Sequence, residues 1–375
     1  MEILISAGES SADRYGAAVM AEMRRRRPEV EFSGMGGSEM KRQRFDLLAD
    51  ARDASVMGFS AVLRRLPALR RAHAALRARL LSGRVRVALL IDFPDFNLRL
   101  AVQARRAGVQ VVYLVAPQTW AWRPGRLRAL PRQVDRMLCV LPFEEEELRA
   151  AGVSAVFVGH PMRDLAKASR PDAEIRRLYA LPEHAVLVAL VPGSRTQIVR
   201  RLLPVMVEAA RRVAERHPEV EFLVPQAPML DGGQVARATK ALGARVHVRT
   251  GSFTDLVSTC TAAVSSSGTA TLELALLGVP SVIVYRVGSM MAWIARRYVH
   301  VSHVGLPNLI AGRKILPERL QEELHPEAVA ADLEAWLSDP AERERISRQL
   351  RGLRERLGPP GVMGRVAEEL LRVPA

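Results

Sequence analysis

The stretch from Ser265 to Pro280 reads SSSGTATLELALLGVP. It follows the apolar residues Ala262 to Val264, and its serines, glycine and threonine lead straight into a helical apolar pattern. Strand, small-residue loop and helix in that order form one βα unit. The loop falls at the carboxyl end of the strand, where open α/β sheets bind ligands. Backbone N–H groups and the dipole of the following helix make such a loop an anion site. Ser266, Ser267 and Thr269 add hydroxyls around Gly268, and Glu273, one turn in, is a carboxylate that can accept bonds from ribose hydroxyls. The same residues also fit an ordinary helix start whose glutamate favours the N-terminal dipole. From this stretch alone both readings stand.

Working outward, the same unit recurs. LVPGSRTQIVRRLLP (190–204) has a strand, a Gly-Ser turn and a helix, with Ser194 and Arg195 at the turn. An arginine there can form a fork to a diphosphate, whereas Arg200 and Arg201 read as solvated helix residues. VEFLVP (220–225), RVHVRT (245–250) and PSVIVY (280–285) complete the strands of this half. In the first half EILIS (2–6), EVEFSGMGG (29–37), VRVALLIDF (85–93), VQVVYLV (109–115) and RMLCVL (136–141) alternate with helical stretches. Near-continuous apolar strands separated by helices predict a parallel sheet covered on both faces. Around FVGHPMRDLAKASRPDAE (157–174) the apolar pattern stops, then restarts. The expected fold class is therefore α/β, with two Rossmann-like doubly wound parallel-sheet domains facing a cleft. Expected boundaries are 1–165, 166–345, and a helical tail 346–375 packing back toward the first domain.

The bulk properties fit. A chain of 375 residues with 49% hydrophobic and 25% charged residues is globular and long enough for about two domains. Its net charge of +15 draws it to polyanions: nucleic acid, an anionic membrane face or phosphorylated small molecules. Aromatics make up only 5%, which argues against stacking of single-stranded bases, and no nucleic-acid motif appears. The two cysteines, Cys139 and Cys260, lie in apolar runs without a CxxC neighbour, so buried free thiols in a reducing compartment are expected and a zinc site is not. No signal peptide is read at the N-terminus, and no run of ~18 uninterrupted apolar residues predicts a spanning helix.

Several stretches of the first half can carry chemistry. SAGESSADRYGAA (6–18) is a glycine turn without the dinucleotide fingerprint. Glu9, Ser11 and Asp13 are its polar groups, and Asp13 also fits a helix start. LLIDFPDFNLRLA (89–101) runs an apolar strand into Asp92 and Asp95, with Pro94 between them and Asn97 beyond. Carboxylates at a strand's carboxyl end are well placed as a general base, while turn chemistry is the plainer account. APQTWAWRPGRLR (116–128) places Trp120 two residues from Trp122 in a basic loop, which fits a sugar or membrane rim, or core filling. His160 and His303 are lone histidines in glycine/proline contexts.

One segment supplies much of the charge. Between Ala61 and Arg86 there are eight arginines and no acid, interleaved with leucines. Met57, Phe59, Leu63, Leu66 and Leu69 with Arg64, Arg65, Arg70 and Arg71 read as a membrane-surface element. A helix covering the sheet with a solvated face accounts for the same pattern.

Taken together, GESSAD, VMGF, IDFPDFN, PQTWAWR, LPFE, VGHP, PGSR, SSGTATLE, YR, LPNLIAG and PERLQ, in that order and spacing over nearly the whole chain, resemble the lipid-A-disaccharide synthase family. Four positions depart from the family pattern: Ala12 replaces a glycine, Ile198 a glutamate and Thr261 an aspartate, and Ala61 lacks the usual acid. The resemblance implies a GT-B fold and an inverting glycosyltransferase. The second domain would hold UDP-2,3-diacylglucosamine through Ser194, Arg195, Ser267, Gly268 and Thr269 at the diphosphate and Glu273 at the ribose, with Asn308 and Gln321 lining the donor pocket. The first would hold 2,3-diacylglucosamine 1-phosphate, with Glu9, Ser11, Asp13, Asn97, Trp120 and His160 as acceptor candidates. Asp95 would take the proton from the 6-hydroxyl, with Asp92 behind it or in its place. No metal or other cofactor is implied. The acyl chains call for a cytoplasmic enzyme held peripherally on the inner face of the cytoplasmic membrane. The family includes dimers that exchange C-terminal segments, so a homodimer is an expectation.

Three alternatives remain. Another UDP-sugar enzyme of this fold, such as a UDP-N-acetylglucosamine 2-epimerase or a peptidoglycan glycosyltransferase, lacks the IDFPDFN and PQTWAWR pair. A nucleic-acid-binding protein would use the net charge. A membrane-binding homologue without activity would account for the departures at Ala12, Ala61 and Ile198.

Overall fold

The computed structural model describes the chain except residues 55–58, 120–123, 228–229, 231, 289–291, 293–301 and 373–375; at 53–54, 59–65 and 124 only the backbone is described. The chain forms two compact units, Met1–Arg163 with Leu357–Ala375, and Asp164–Arg356.

The first unit is built on a seven-stranded sheet: β1 (Glu2–Ala7), β2 (Glu31–Gly36), β3 (Asp46–Asp50), β4 (Val85–Ile91), β5 (Gln110–Leu114), β6 (Arg136–Cys139) and β7 (Ala155–Phe157). All pairings are parallel and the strand order is β3-β2-β1-β4-β5-β6-β7. Every residue of β1 is buried, as expected for a central strand with helices on both faces. One face packs Leu4, Leu90, Leu100, Tyr113 and Met137 with Leu76 and Leu80 of the helix Phe59–Leu80.

The second unit repeats the plan with six strands: β8 (Val186–Val191), β9 (Val220–Pro225), β10 (Val246–Arg249), β11 (Ala262–Ser266), β12 (Ser281–Tyr285) and β13 (Glu318–Leu320). They too are parallel, in the order β10-β9-β8-β11-β12-β13. Each sheet therefore reverses direction once, between β1 and β4 and between β8 and β11. The carboxyl ends flanking such a reversal are where doubly wound sheets bind ligands.

Three strands escape the sequence pattern: β3, β7 and β13. All are edge strands, and edge strands are short and partly polar because one side faces solvent. The divisions also fall elsewhere than the sequence pattern puts them, after Arg163 and after Arg356 rather than after 165 and 345. The helix Pro340–Arg356 packs on the helix Thr269–Leu277, and Arg354 Nη2 donates to Leu276 O at 3.1 Å, so residues 346–356 belong to the second unit. Only the last helix, Val362–Leu371, lies in the first unit. There Arg26 pairs with Glu368 at 3.1 Å and Arg136 with Glu369 at 2.6 Å.

Candidate active site

In the first unit β1 and β4 run side by side, with Ala7 opposite Ile91. The chain beyond each therefore emerges next to the other. Gly8 lies so close to the Phe93 ring that a Cβ on it would sit 2.5 Å from a ring carbon. Asp92 and Phe93 are both left-handed, with φ of 50° and 51°. Neither is glycine, so this turn is strained and its surroundings must hold it. They do so on the main-chain oxygen of Asp92, which accepts from Tyr113 Oη at 2.6 Å and from Asn97 Nδ2 at 2.7 Å. Burial, with the Asp92 charge nearby, pushes the Tyr113 phenol well above its usual range, so it stays a donor.

Asn97 is fully buried. Its Oδ1 accepts from Ser6 Oγ at 2.6 Å and its amide also donates to Ile91 O and Ser6 O. Its amide straps the end of β1 to the end of β4. Pro94 opens the helix Pro94–Arg106, where its fixed φ suits the first position. Asp95 follows with its side chain 72% exposed, paired with Arg126 of the 3-10 turn Pro124–Arg128.

Asp13 is likewise internal. Its carboxylate accepts from the backbone N–H groups of Gly37 at 2.7 Å, Glu39 at 2.9 Å and Met40 at 3.2 Å, fixing the entry to the short helix Ser38–Lys41. Those three bonds give the Asp13 carboxylate a structural role. Glu9 is the N-cap residue of the helix Ser10–Arg26 and Ser11 lies in its first turn, both partly exposed. Ala12 is buried in that same helix without positive φ, so no glycine is needed there. His160 is buried with its ring edge-on to Tyr15, centroids 6.4 Å apart, and its Nδ1 accepts from Met162 N at 3.1 Å.

Of the expected membrane-facing set, Met57 lies outside the described residues, as do Trp120 and the side chains of Phe59, Leu63, Arg64 and Arg65. Leu66 is half-buried, and Arg70 and Arg71 are exposed. Leu69 is partly buried and packs against the sheet core, on the helix face that covers the sheet. Cys139 and Cys260 are free and buried, and burial pushes the Cys260 thiol up to about 12.

In the second unit Val191 pairs with Ser265, so the turns after β8 and β11 also emerge side by side. Gly193 has φ +97°, and a Cβ there would lie 2.9 Å from Ser266 Oγ; only glycine fits both demands. Ser194 and Arg195 follow, partly exposed, and Arg195 is the N-cap residue of the 21-residue helix Thr196–Arg216. Arg200 and Arg201 are exposed, while Ile198, where the family carries an acid, is buried. Burial raises the Tyr285 phenol, and the charges of Arg195 and Arg201 oppose that rise, which marks this end of the sheet as electropositive.

Gly268 is the N-cap residue of the helix Thr269–Leu277. Ser267 is tied down at two points: its N–H donates to Val284 O at 3.1 Å and its hydroxyl to Val304 O at 2.9 Å. Within the first turn of this helix Thr271 N–H donates to Gly268 O at 3.1 Å. Glu273 is only 2% exposed and accepts from the Thr254 hydroxyl, which joins it to the helix Phe253–Ser258.

The two residues expected in the donor pocket, Asn308 and Gln321, are both bonded within the second unit. Asn308 is fully buried. Its Oδ1 accepts from Ile315 N and Leu316 N and its Nδ2 donates to Leu316 O and Glu318 Oε1, so the amide has no group left for a ligand. Gln321 pairs its amide with the main chain of Val287 at 3.3 Å in both directions, and its carbonyl accepts from Arg286. Among the described residues no group of three or more His, Cys, Asp or Glu side chains is arranged to hold a metal ion.

The family model described as lipid-A-disaccharide synthetase matches residues 3–358, a span that includes both pairs of turns. A lipid-A-disaccharide synthase of Myxococcus xanthus is 42% identical over 371 residues, covering 99% of this chain and 97% of that protein. That of Geobacter sulfurreducens is 38% identical over 371 residues, with the same coverages.

The chain belongs to the lipid-A-disaccharide synthase family.

It is thus a glycosyltransferase. Solved structures agree on the fold. The UDP-GlcNAc 2-epimerase of Neisseria meningitidis, bound to UDP-GlcNAc, superposes with a TM-score of 0.68 at 11% identity, covering 99% of this chain and 100% of that one. The glycosyltransferase of kitacinnamycin gives 0.61 at 16% identity, covering 100% and 99%. At such identities the likeness is one of GT-B architecture, and family membership separates this chain from the epimerases. In this lipid-A-disaccharide synthase family member, sequence reading overlooked Tyr113, Arg126, Thr254 and Glu318. Tyr113 sits inside an apolar strand run and Arg126 among several arginines, so neither stood out; only the tertiary contacts single them out.

Proposed function

We propose that the chain joins UDP-2,3-diacylglucosamine to 2,3-diacylglucosamine 1-phosphate, forming a β(1→6) disaccharide 1-phosphate and UDP with inversion. The observation that carries this reading is the pair of reversal-point turns in each sheet, both inside the family match. On the second unit the diphosphate would lie against the first-turn amides of the helix Thr269–Leu277 and the Arg195 guanidinium, whose positive charge favours the UDP leaving group. We assign these groups, rather than a metal, the charge that develops on UDP.

On the first unit Asp95 is our choice of general base. It is exposed, held by Arg126 and placed in the first turn of a helix; Asp92 holds the turn through its main chain. The carboxylate of Asp95 takes the proton of the acceptor 6-hydroxyl, that oxygen bonds to C1 of the donor, and the bond from C1 to the phosphate oxygen breaks to release UDP. Docking is proposed on the inner face of the cytoplasmic membrane through the basic face of the helix Phe59–Leu80. The exposed Arg70, Arg71 and Arg77, with Leu81 at 59% exposure, support that. Among the described residues no helix is long and apolar enough to cross a membrane.

The test is disaccharide formation from the two lipids in detergent micelles, with and without EDTA, for wild type and Asp95→Ala. Formation by wild type in EDTA, lost in Asp95→Ala while UDP still binds, supports the whole reading. UDP binding without disaccharide in the wild type would sink it in favour of an inactive homologue or another UDP-sugar enzyme.

A further inference from the structure

Glu318 lies on edge strand β13 of the second unit. Its carboxylate accepts three N–H donors from one loop: Val304 N at 3.0 Å, Gly305 N at 3.0 Å and Asn308 Nδ2 at 2.8 Å. Asn308 is in turn locked to the main chain at 315 and 316. Gly305 leaves no room for a side chain, since a Cβ on it would lie 2.3 Å from the Ile283 side chain and 3.2 Å from the Glu318 carboxylate. The position of the Val304 peptide is therefore dictated by Glu318. The carbonyl of that same residue receives the Ser267 hydroxyl at 2.9 Å, while Ser267 N–H is held by Val284 O of β12. Ser267 is clamped from both sides, and the residue after it, Gly268, opens the helix whose first amides face the turn.

We propose that Glu318 is a positioning residue for the donor diphosphate, acting through Val304 and Ser267 to hold the Ser267–Gly268–Thr269 turn in its anion-binding shape. The inference rests on the donor-site reading above. A turn fixed before the ligand arrives loses less freedom on binding, so its donors bind an anion more tightly than a loose turn with the same groups. The carboxylate itself never touches the nucleotide. Its charge matters because a neutral amide in its place must turn an NH2 group toward one of the three donors and leave that donor unpaired.

The experiment measures UDP binding by calorimetry to wild type, Glu318→Gln, Ser267→Ala and the double variant, each checked for a cooperative thermal transition. Glu318→Gln is expected to weaken UDP about tenfold. Ser267→Ala should do so to a similar extent, and the double variant should be no weaker than the worse single one, because both act on one turn. Turnover should show the loss in KM for the donor rather than in KM for the acceptor. UDP binding by Glu318→Gln equal to wild type, or two losses that simply multiply, would overturn the proposal. If Glu318→Gln fails to fold, Ser267→Ala decides: unchanged UDP affinity overturns it as well. Absence of UDP binding by the wild type would instead strike the donor-site reading itself.

Discussion

Tyr113 donates its hydroxyl hydrogen to the main-chain oxygen of Asp92 at 2.6 Å, at a point where Asp92 and Phe93 are both left-handed. Asn97 bonds the same oxygen at 2.7 Å. The strained turn that leads to Asp95 is thus held from two elements. Replacing Tyr113 with Phe removes one holder without changing the packing. The expected outcome is a loss of about 1–2 kcal/mol of stability with a larger fall in kcat than in acceptor affinity. Chemical denaturation and steady-state turnover check it, and a kcat equal to wild type would show that the turn does not need this bond.

Asp13 separates a structural carboxylate from a substrate contact. Asp13→Ala strands three N–H groups, one buried and two half-buried, at the entry to the helix Ser38–Lys41. A destabilisation of about 2–3 kcal/mol is expected, with turnover per folded molecule preserved. Loss of turnover in a fully folded Asp13→Ala protein would restore it as an acceptor residue.

His160 makes stability depend on pH. Burial lowers its pKa from 6.5 to about 3, and its Nδ1 accepts from Met162 N, a bond that only the neutral ring can make. Below 6.5 the unfolded chain takes up a proton that the folded chain refuses until about 3. Stability attached to this group is therefore complete above the unfolded value and falls as pH drops toward the folded one. About 2 kcal/mol should disappear between about pH 7.5 and about pH 5. Urea midpoints of wild type and His160→Gln across that range provide the check; parallel profiles for the two proteins would refute the assignment.

Arg70 and Arg71 are exposed on a helix segment without acids. Charge reversal at both should weaken binding to vesicles containing anionic lipid by about tenfold or more at low salt, from about 1 kcal/mol per basic residue. Binding to neutral vesicles should hardly change, and the difference should shrink as salt rises. Cosedimentation measures both, and equal binding of the two proteins to anionic vesicles would remove this face from the docking surface.

Much of the plan was legible in the chain. Central strands such as EILISA and VLVALV announce themselves because burial on both faces favours nearly continuous apolar runs. The turns that follow them were legible as well, since glycine at Gly193 and hydroxyls at Ser265 to Ser267 mark strand-to-helix turns at which an anion can bind. Edge strands β3 and β13 were not, because they carry Asp46, Asp50 and Glu318 in short pairings with one open side. Side-chain roles were the least legible. Asn97 and Asn308 look like ligand contacts in their motifs, yet each bonds backbone groups and one side chain of its own unit, Ser6 and Glu318 respectively.

The sequence by itself determined two doubly wound parallel sheets, the glycine turns at their carboxyl ends and the family, because strand burial, glycine geometry and an ordered series of motifs are written locally along the chain. Only the tertiary structure decided which polar residues remain available for chemistry. That choice depends on donors and acceptors far apart in sequence meeting at one point, as Ser6 meets Asn97, Gly37 meets Asp13 and Val304 meets Glu318. A buried polar group must find such partners, and the identity of the partner is a property of the fold.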